Sequence, residues 1–208
     1  MTRADVKTRV LKNLNDAGAT YYTGADLEDA IQDAYDDIVA LSQCNFASIT
    51  LNWPANTTYF FLESLGATDY ISTVAIYNHN TKRFLDDSVN LRQFDGIRDD
   101  WEIWNGQPEF WTPHTFESVA IAPRLATATG QYTVYYIKRA PVLAQDSDSF
   151  IFSKFADDLV ETYVTADLLE QAEEFTKAAL FWKPYFEGVL AYKQECQNLA
   201  RTDLILHV

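Results

Sequence analysis

The 208-residue chain is poor in the side chains that hold metals or form disulfides. It has two cysteines, Cys44 and Cys196, and three histidines, His79, His114 and His207, with none at metal-ligand spacing from another. Two thiols so far apart exclude a disulfide framework and a zinc knuckle. We therefore expect no metal site, no cofactor and a reducing compartment.

Catalytic motifs are also missing. The seven glycines form no phosphate-binding loop and no GxSxG elbow, and neither a Cys-His nor a Ser-His nucleophile signature is present. Paired carboxylates such as Asp36-Asp37 and Asp157-Asp158 are expected by composition among 30 acidic residues, and neighbours on a helix or strand point in different directions. The sequence therefore predicts no catalytic residue and a protein that is not an enzyme.

Long apolar runs are absent. The first five residues lack the apolar core of a signal peptide, and no run approaches the roughly 20 residues that cross a membrane. We expect the protein to be made and kept in the cytoplasm.

Basic residues are scarce. The chain has 16 Lys and Arg against 30 Asp and Glu, a net charge of -14, and no basic residue lies between Lys12 and Lys82. Such a field repels phosphate backbones and anionic lipids, which argues against tight nucleic-acid binding. One end of the fold should be strongly negative, and the commoner meaning of such a run is a solvated face that aids solubility.

Apolar residues make up 48% of the chain and aromatic residues 14%, enough for a substantial core. Helical spacing of apolar residues begins at Val6, and a second helix begins at a capping-box variant, in which Thr23 and Asp26 bond reciprocally. From Asn45 the period changes to two, which predicts short antiparallel strands, with a short helix within residues 89–97. Helical patterns return after Phe150, and Pro184 predicts a kink or local break in the last helix.

These patterns predict an α+β fold with inserted strands. N- and C-terminal helix hairpins pack as an α-helical bundle, and an antiparallel β lobe, a small sandwich or meander, is inserted between them. The predicted single domain spans residues 1–208. Its parts are a helix hairpin (1–44), a β-rich insert (45–140), C-terminal helices (150–201) and a tail (202–208).

The segment from Trp101 to Trp111 concentrates tryptophans beside carboxylates, and it allows two interpretations. Stacked tryptophans beside acids can hold sugar rings, which would suit a carbohydrate-binding or glycosidase-like module. The commoner interpretation is an aromatic hairpin that turns at Asn105-Gly106 and closes the sandwich, with Trp101 and Trp104 flanking the core and Trp111 packing across it.

The order of short motifs resembles the head-to-tail adaptor family of tailed bacteriophages. The motifs are the segment 21–35, Trp101 followed by Gly106-Gln107-Pro108, the segments 121–123 and 135–141, and the closing helix with Tyr185-Phe186-Glu187-Gly188. The resemblance covers nearly the full chain, and the family includes the tail tubular protein A-like adaptors. It implies a homo-oligomeric ring of about twelve copies in the virion neck, between the portal protein and a tail or nozzle protein, with DNA passing unbound through its lumen.

The resemblance gives possible roles to otherwise ordinary residues. The acidic side chains of Asp29, Asp33, Asp36 and Asp37, or those of the acidic helix over residues 157–174, would face the lumen and repel passing DNA. The apolar end, comprising Leu204, Ile205, Leu206 and Val208, would dock on the portal. The aromatic residues Trp101, Trp104 and Trp111 would lie at an interface.

Overall fold

The computed structural model describes residues 1–63, 66–87, 90–115, 118–126, 130–152 and 154–206. Within these ranges the chain forms five helices and seven strands, which confirms the predicted α+β class. In chain order they are α1 (Arg3–Asn13), α2 (Gly24–Ser42), β1 (Phe46–Trp53), β2 (Tyr59–Phe61), β3 (Tyr70–Asn78), β4 (Arg83–Phe84), α3 (Leu91–Ile97), β5 (Phe110–Thr115), β6 (Ser118–Ala122), β7 (Gly130–Lys138), α4 (Lys154–Gln171) and α5 (Phe175–Leu206).

The chain divides into two compact units. Among the described residues, the helical unit comprises residues 1–45 and 139–206, and the β unit comprises residues 46–138. The helical unit therefore contains α1, α2, α4 and α5, and the β unit contains every strand together with α3.

The predicted start of α2 is confirmed. The Thr23 side chain accepts a hydrogen bond from the Asp26 backbone N–H, and the Asp26 carboxylate accepts one from the Thr23 N–H. This reciprocal pair satisfies two N–H groups that a helix start otherwise leaves free. A second capping box, which links Thr2 and Asp5, begins α1.

One hydrophobic core holds the helical unit together. Helix α2 packs against both α4 and α5, and α1 packs against α2 and α4. The core includes the fully buried side chains of Ile31, Tyr35, Val160 and Tyr185. These side chains belong to α2, α4 and α5, so the core joins these three helices.

Helix α5 continues through Pro184, so of the two predicted outcomes, a kink or a local break, the break does not occur. Proline removes a backbone hydrogen bond from a helix interior and its ring crowds the preceding turn. The Trp182 ring stacks on Phe186 and meets the Tyr185 ring edge-on, with centroid distances of 5.8 Å in both pairs. The helix also extends to Leu206, beyond the end predicted near Arg201.

The β unit contains two antiparallel sheets. The four-stranded sheet has the order β1-β7-β3-β4, and the three-stranded sheet has the order β2-β6-β5. Because β7 inserts between β1 and β3, the first sheet is not a meander. Side chains from both sheets, among them Trp53, Ile76, Trp111 and Ile121, share one core, so the arrangement is a small sandwich.

The three-stranded sheet is covered on both faces. Alternate residues Val119 and Ile121 of β6 join the core between the sheets, while Ala120 and Ala122 pack with Phe94 of α3 and with Trp101. This burial on both faces explains why β6 lacks the polar alternation of a half-exposed strand.

An isolated parallel bridge connects the two sheets. The Asp86 N–H donates to the Glu109 carbonyl, and the Trp111 N–H donates to the Asp86 carbonyl. The chain beyond β4 thereby joins the start of β5.

Candidate interaction surfaces

In the described part of the chain, no group of three or more His, Cys, Asp or Glu residues could hold a metal ion. His79 Nε2 lies 2.8 Å from the Thr133 hydroxyl, and His114 Nδ1 lies 3.2 Å from the Ser118 hydroxyl. Both histidines therefore have hydroxyl partners within the β unit.

Three of the four predicted acidic residues form an exposed row on α2. Asp29, Asp33 and Asp36 follow one another at spacings of four and three residues, which places them on one face of the helix, and all three are exposed. No described cation forms an ion pair with any of them; Asp36 accepts a hydrogen bond from Gln32. We call these three residues the α2 acidic row.

Asp37 differs from the row. It is half-buried, and its carboxylate accepts a hydrogen bond from the hydroxyl of Tyr185, a fully buried side chain of α5. Burial, followed by this contact with an anion, raises the pKa of Tyr185 far above that of a free phenol. Asp37 therefore links α2 to α5, a contact that sequence spacing alone does not reveal.

The seam between α2 and α4 is rich in carboxylates. Burial raises the pKa of Asp167, the hydrogen bond from Gln171 opposes this shift, and repulsion by Asp33 and Glu170 adds to it. Burial also raises the pKa of Tyr163 to about 12, assisted by nearby acids. The negative electrostatic field of the α2 acidic row thus reaches α4.

Glu28, the acid beside Asp29 in sequence, is neutralised from α1. Lys7 Nζ lies 2.6 Å from Glu28 Oε1 and 2.7 Å from Asp146 Oδ1, and Arg3 Nε bonds Asp146 at 3.0 Å. Sequence reasoning missed this network because its partners are up to 143 residues apart. The signal available in the sequence was that Arg3 and Lys7 lie one helical turn apart, which places two cations on one face of α1.

The predicted aromatic segment lies mostly inside the β unit. Trp101 is 5% exposed and Trp111 is 3% exposed, whereas Trp104 is half-buried beneath the Arg98 guanidinium, 5.3 Å from its ring. Trp101 Nε1 donates to Asp95 at 2.8 Å. Two of the three predicted interface aromatics are thus core residues.

The predicted hairpin through Asn105-Gly106 is wrong. The Gly106 N–H donates to the Arg124 carbonyl and the Arg124 N–H donates to the Trp104 carbonyl, so that Asn105 forms a parallel bridge with Arg124. Arg124 Nε also donates to Asn105 Oδ1. These contacts across the fold outweigh the local turn signal, and β5 pairs with β6 instead.

The C-terminal docking residues fall in two places. Leu204, Ile205 and Leu206 belong to the last turn of α5, and Val208 lies outside the described residues. Across those ranges no helix has the length and apolar character needed to span a membrane.

Comparison with known proteins identifies the family. The model of the family described as SU10 adaptor protein matches residues 1–203, nearly the whole chain. No curated protein matches the chain. The order of motifs from the first helix to Gly188 predicted the same kind of protein, and that prediction is confirmed. The chain belongs to the SU10 adaptor protein family, a family of phage head-to-tail adaptors.

Proposed function

We propose that the protein is a structural subunit of the virion neck. Copies assemble into a ring of about twelve that joins the portal to the tail, and DNA passes through the lumen during ejection. The family match over residues 1–203 carries this proposal.

The carbohydrate-binding alternative has less support. It requires an exposed platform of tryptophans between Trp101 and Trp111. Trp101 and Trp111 are buried in the sandwich, so Trp104 is the one tryptophan of that segment that is partly accessible. A single ring partly covered by Arg98 is a poor platform for a sugar.

Within the ring, we assign the α2 acidic row to the lumen. The three carboxylates are exposed on one helix face and have no described cationic partner, so their field extends into solvent. Like charges at the channel wall would keep DNA from adhering as it slides. Asp37 is removed from this set because it bonds Tyr185.

We assign portal docking to the C-terminal end of the chain, with Leu204, Ile205, Leu206 and Val208 as the apolar contacts. Because α5 reaches Leu206, the first three belong to a helical turn, and a helical segment with apolar residues can enter an apolar groove.

The experiment that tests the proposed function is deletion of the gene from its phage. Electron microscopy of the resulting lysate should show DNA-filled or emptied heads separate from tails, and expression of the chain in trans should restore tailed particles. Normal tailed particles without the chain would contradict the proposal.

A further inference from the structure

The strands of the four-stranded sheet, like those of the three-stranded sheet, carry no acidic residue. The chain has 30 acidic residues, but none lies in β1, β3, β4 or β7. The charged residues of these strands are Arg83 and Lys138, and the turn between β3 and β4 adds Lys82.

This face carries a cluster of aromatic rings. Leu51, Ile76, Leu85 and Val134 point into the sandwich core, so their strand neighbours point outward. The Tyr77 and Phe84 ring centroids lie 5.2 Å apart, and those of Phe84 and Tyr135 lie 6.0 Å apart. All three rings are half-buried.

On β1 the same face is more open. Phe46 is 40% exposed, and Ser48 and Thr50 are exposed. Thr50 bonds the hydroxyl of Thr133 on β7 at 2.8 Å, and Ser48 lies opposite Tyr135 in the register. We call the surface of Phe46, Ser48, Tyr77, Phe84 and Tyr135 the outer sheet face.

Strand β1 is also a sheet edge that lacks the usual protection. Among the described residues it pairs with β7 alone, over eight residues in unbroken register. Exposed edges are commonly blunted by Lys, Pro or a bulge, and none of these occurs in β1. Such an edge is suited to contact another protein.

The charge of the chain indicates which kind of partner the outer sheet face binds. Copies that each carry -14 repel one another, and the repulsion is smallest where neither side presents carboxylates. Two or three basic side chains are too few to hold DNA against that net charge. Half-buried aromatic rings on a surface without acidic residues are instead typical of a protein interface.

We propose that the outer sheet face is a contact surface between neighbouring copies of this chain, an inference that rests on the proposed ring. The aromatic rings supply the apolar contact, and the absence of acidic residues lets two highly negative subunits approach. The neighbouring copy would bury Phe46 and Ser48 at the open edge.

The test compares Ser48→Glu with Ser48→Lys, which differ mainly in the sign of the added charge. Rings of purified chain on portal protein are quantified by sedimentation velocity, and circular dichroism verifies folding. Ser48→Glu should weaken ring formation about tenfold, Ser48→Lys should not, and added salt should reduce the difference. Gln194→Glu, at an exposed site on α5, is the matched control for net charge and should behave like wild type.

The outcomes separate the two proposals. If wild type forms rings and Ser48→Glu forms them equally well, the outer sheet face is not the contact, and the proposed function stands. An equal loss in Ser48→Lys or in Gln194→Glu would also overturn the inference, because the sign or the place of the charge would then not matter. If wild type forms no ring on the portal, the proposed function fails and this inference fails with it.

Discussion

Asp36 and Asp37 are adjacent in sequence but have different surroundings. Asp36 is exposed and its partner is Gln32 on the same helix, whereas Asp37 bonds the buried hydroxyl of Tyr185. A doublet of acids on a helix therefore gives one surface charge and one internal contact, since consecutive side chains point about 100° apart.

The bond between Asp37 and Tyr185 makes a prediction about stability. Tyr185→Phe keeps the ring in the core but removes the donor, which should lower the free energy of unfolding by about 1–2 kcal/mol. Urea denaturation measures the change. Asp37→Asn is the control, because its amide oxygen still accepts the hydrogen bond and the loss should be smaller. Unchanged stability in Tyr185→Phe would show that the bond contributes nothing.

For Asp167 we expect the opposite effect, because replacing this residue should increase the stability of the fold. Its folded-state pKa is raised, so the protonated form favours the folded state at low pH, and this stabilisation is lost as pH rises through the folded-state pKa. Asp167→Asn removes the charge while still accepting from Gln171, and should increase stability at pH 7 by roughly 0.5 kcal/mol. Denaturation at pH 7 and near pH 3 measures it. If Asp167→Asn changes the stability equally at both pH values, the charge on Asp167 is not the cause of the change.

Among the helices and strands, contacts between residues close in sequence could be predicted from the sequence, and contacts between distant residues could not. The Thr23–Asp26 capping box was predicted because both partners lie within one helical turn. The hairpin at Asn105-Gly106 failed because its competitor, Arg124, is a partner 19 residues away. The Lys7–Glu28–Asp146 network was missed because it depends on how the helices pack.

The α2 acidic row predicts an effect on DNA movement. Replacing Asp29, Asp33 and Asp36 by Asn leaves the Asp37–Tyr185 contact intact, and it should slow DNA ejection or increase DNA retention in the particle. Ejection kinetics from purified particles measure this. Replacing Asp87 and Asp99 by Asn and Glu195 by Gln is the control for net charge, since these exposed acids lie outside α2. Unchanged kinetics in the α2 variant would remove the row from the lumen.

The end of α5 predicts an effect on portal binding. Deleting residues after Thr202 removes the last helical residues through Leu206 and leaves the core residues Tyr185, Val189 and Tyr192 in place. The truncated chain should fold, by circular dichroism, and should not bind portal protein in co-sedimentation. Wild-type binding by the truncation would locate the docking surface elsewhere.

For the whole molecule, the family was recognised from the order of the short motifs along the chain, since none of them is diagnostic alone. The resemblance predicted an adaptor, and the family match over residues 1–203 confirmed that prediction. The surfaces could not be assigned in the same way, because exposure depends on packing: the sequence allowed Trp101 and Trp111 to be core residues or interface residues, and in the fold both are buried.

The proposed ring on the portal is tested most directly by the native mass of portal protein mixed with the purified chain. We expect a complex heavier than the portal by about twelve copies of a 23.7 kDa subunit, and no such addition for the chain truncated after Thr202. A portal whose mass does not change in the presence of excess chain would contradict it.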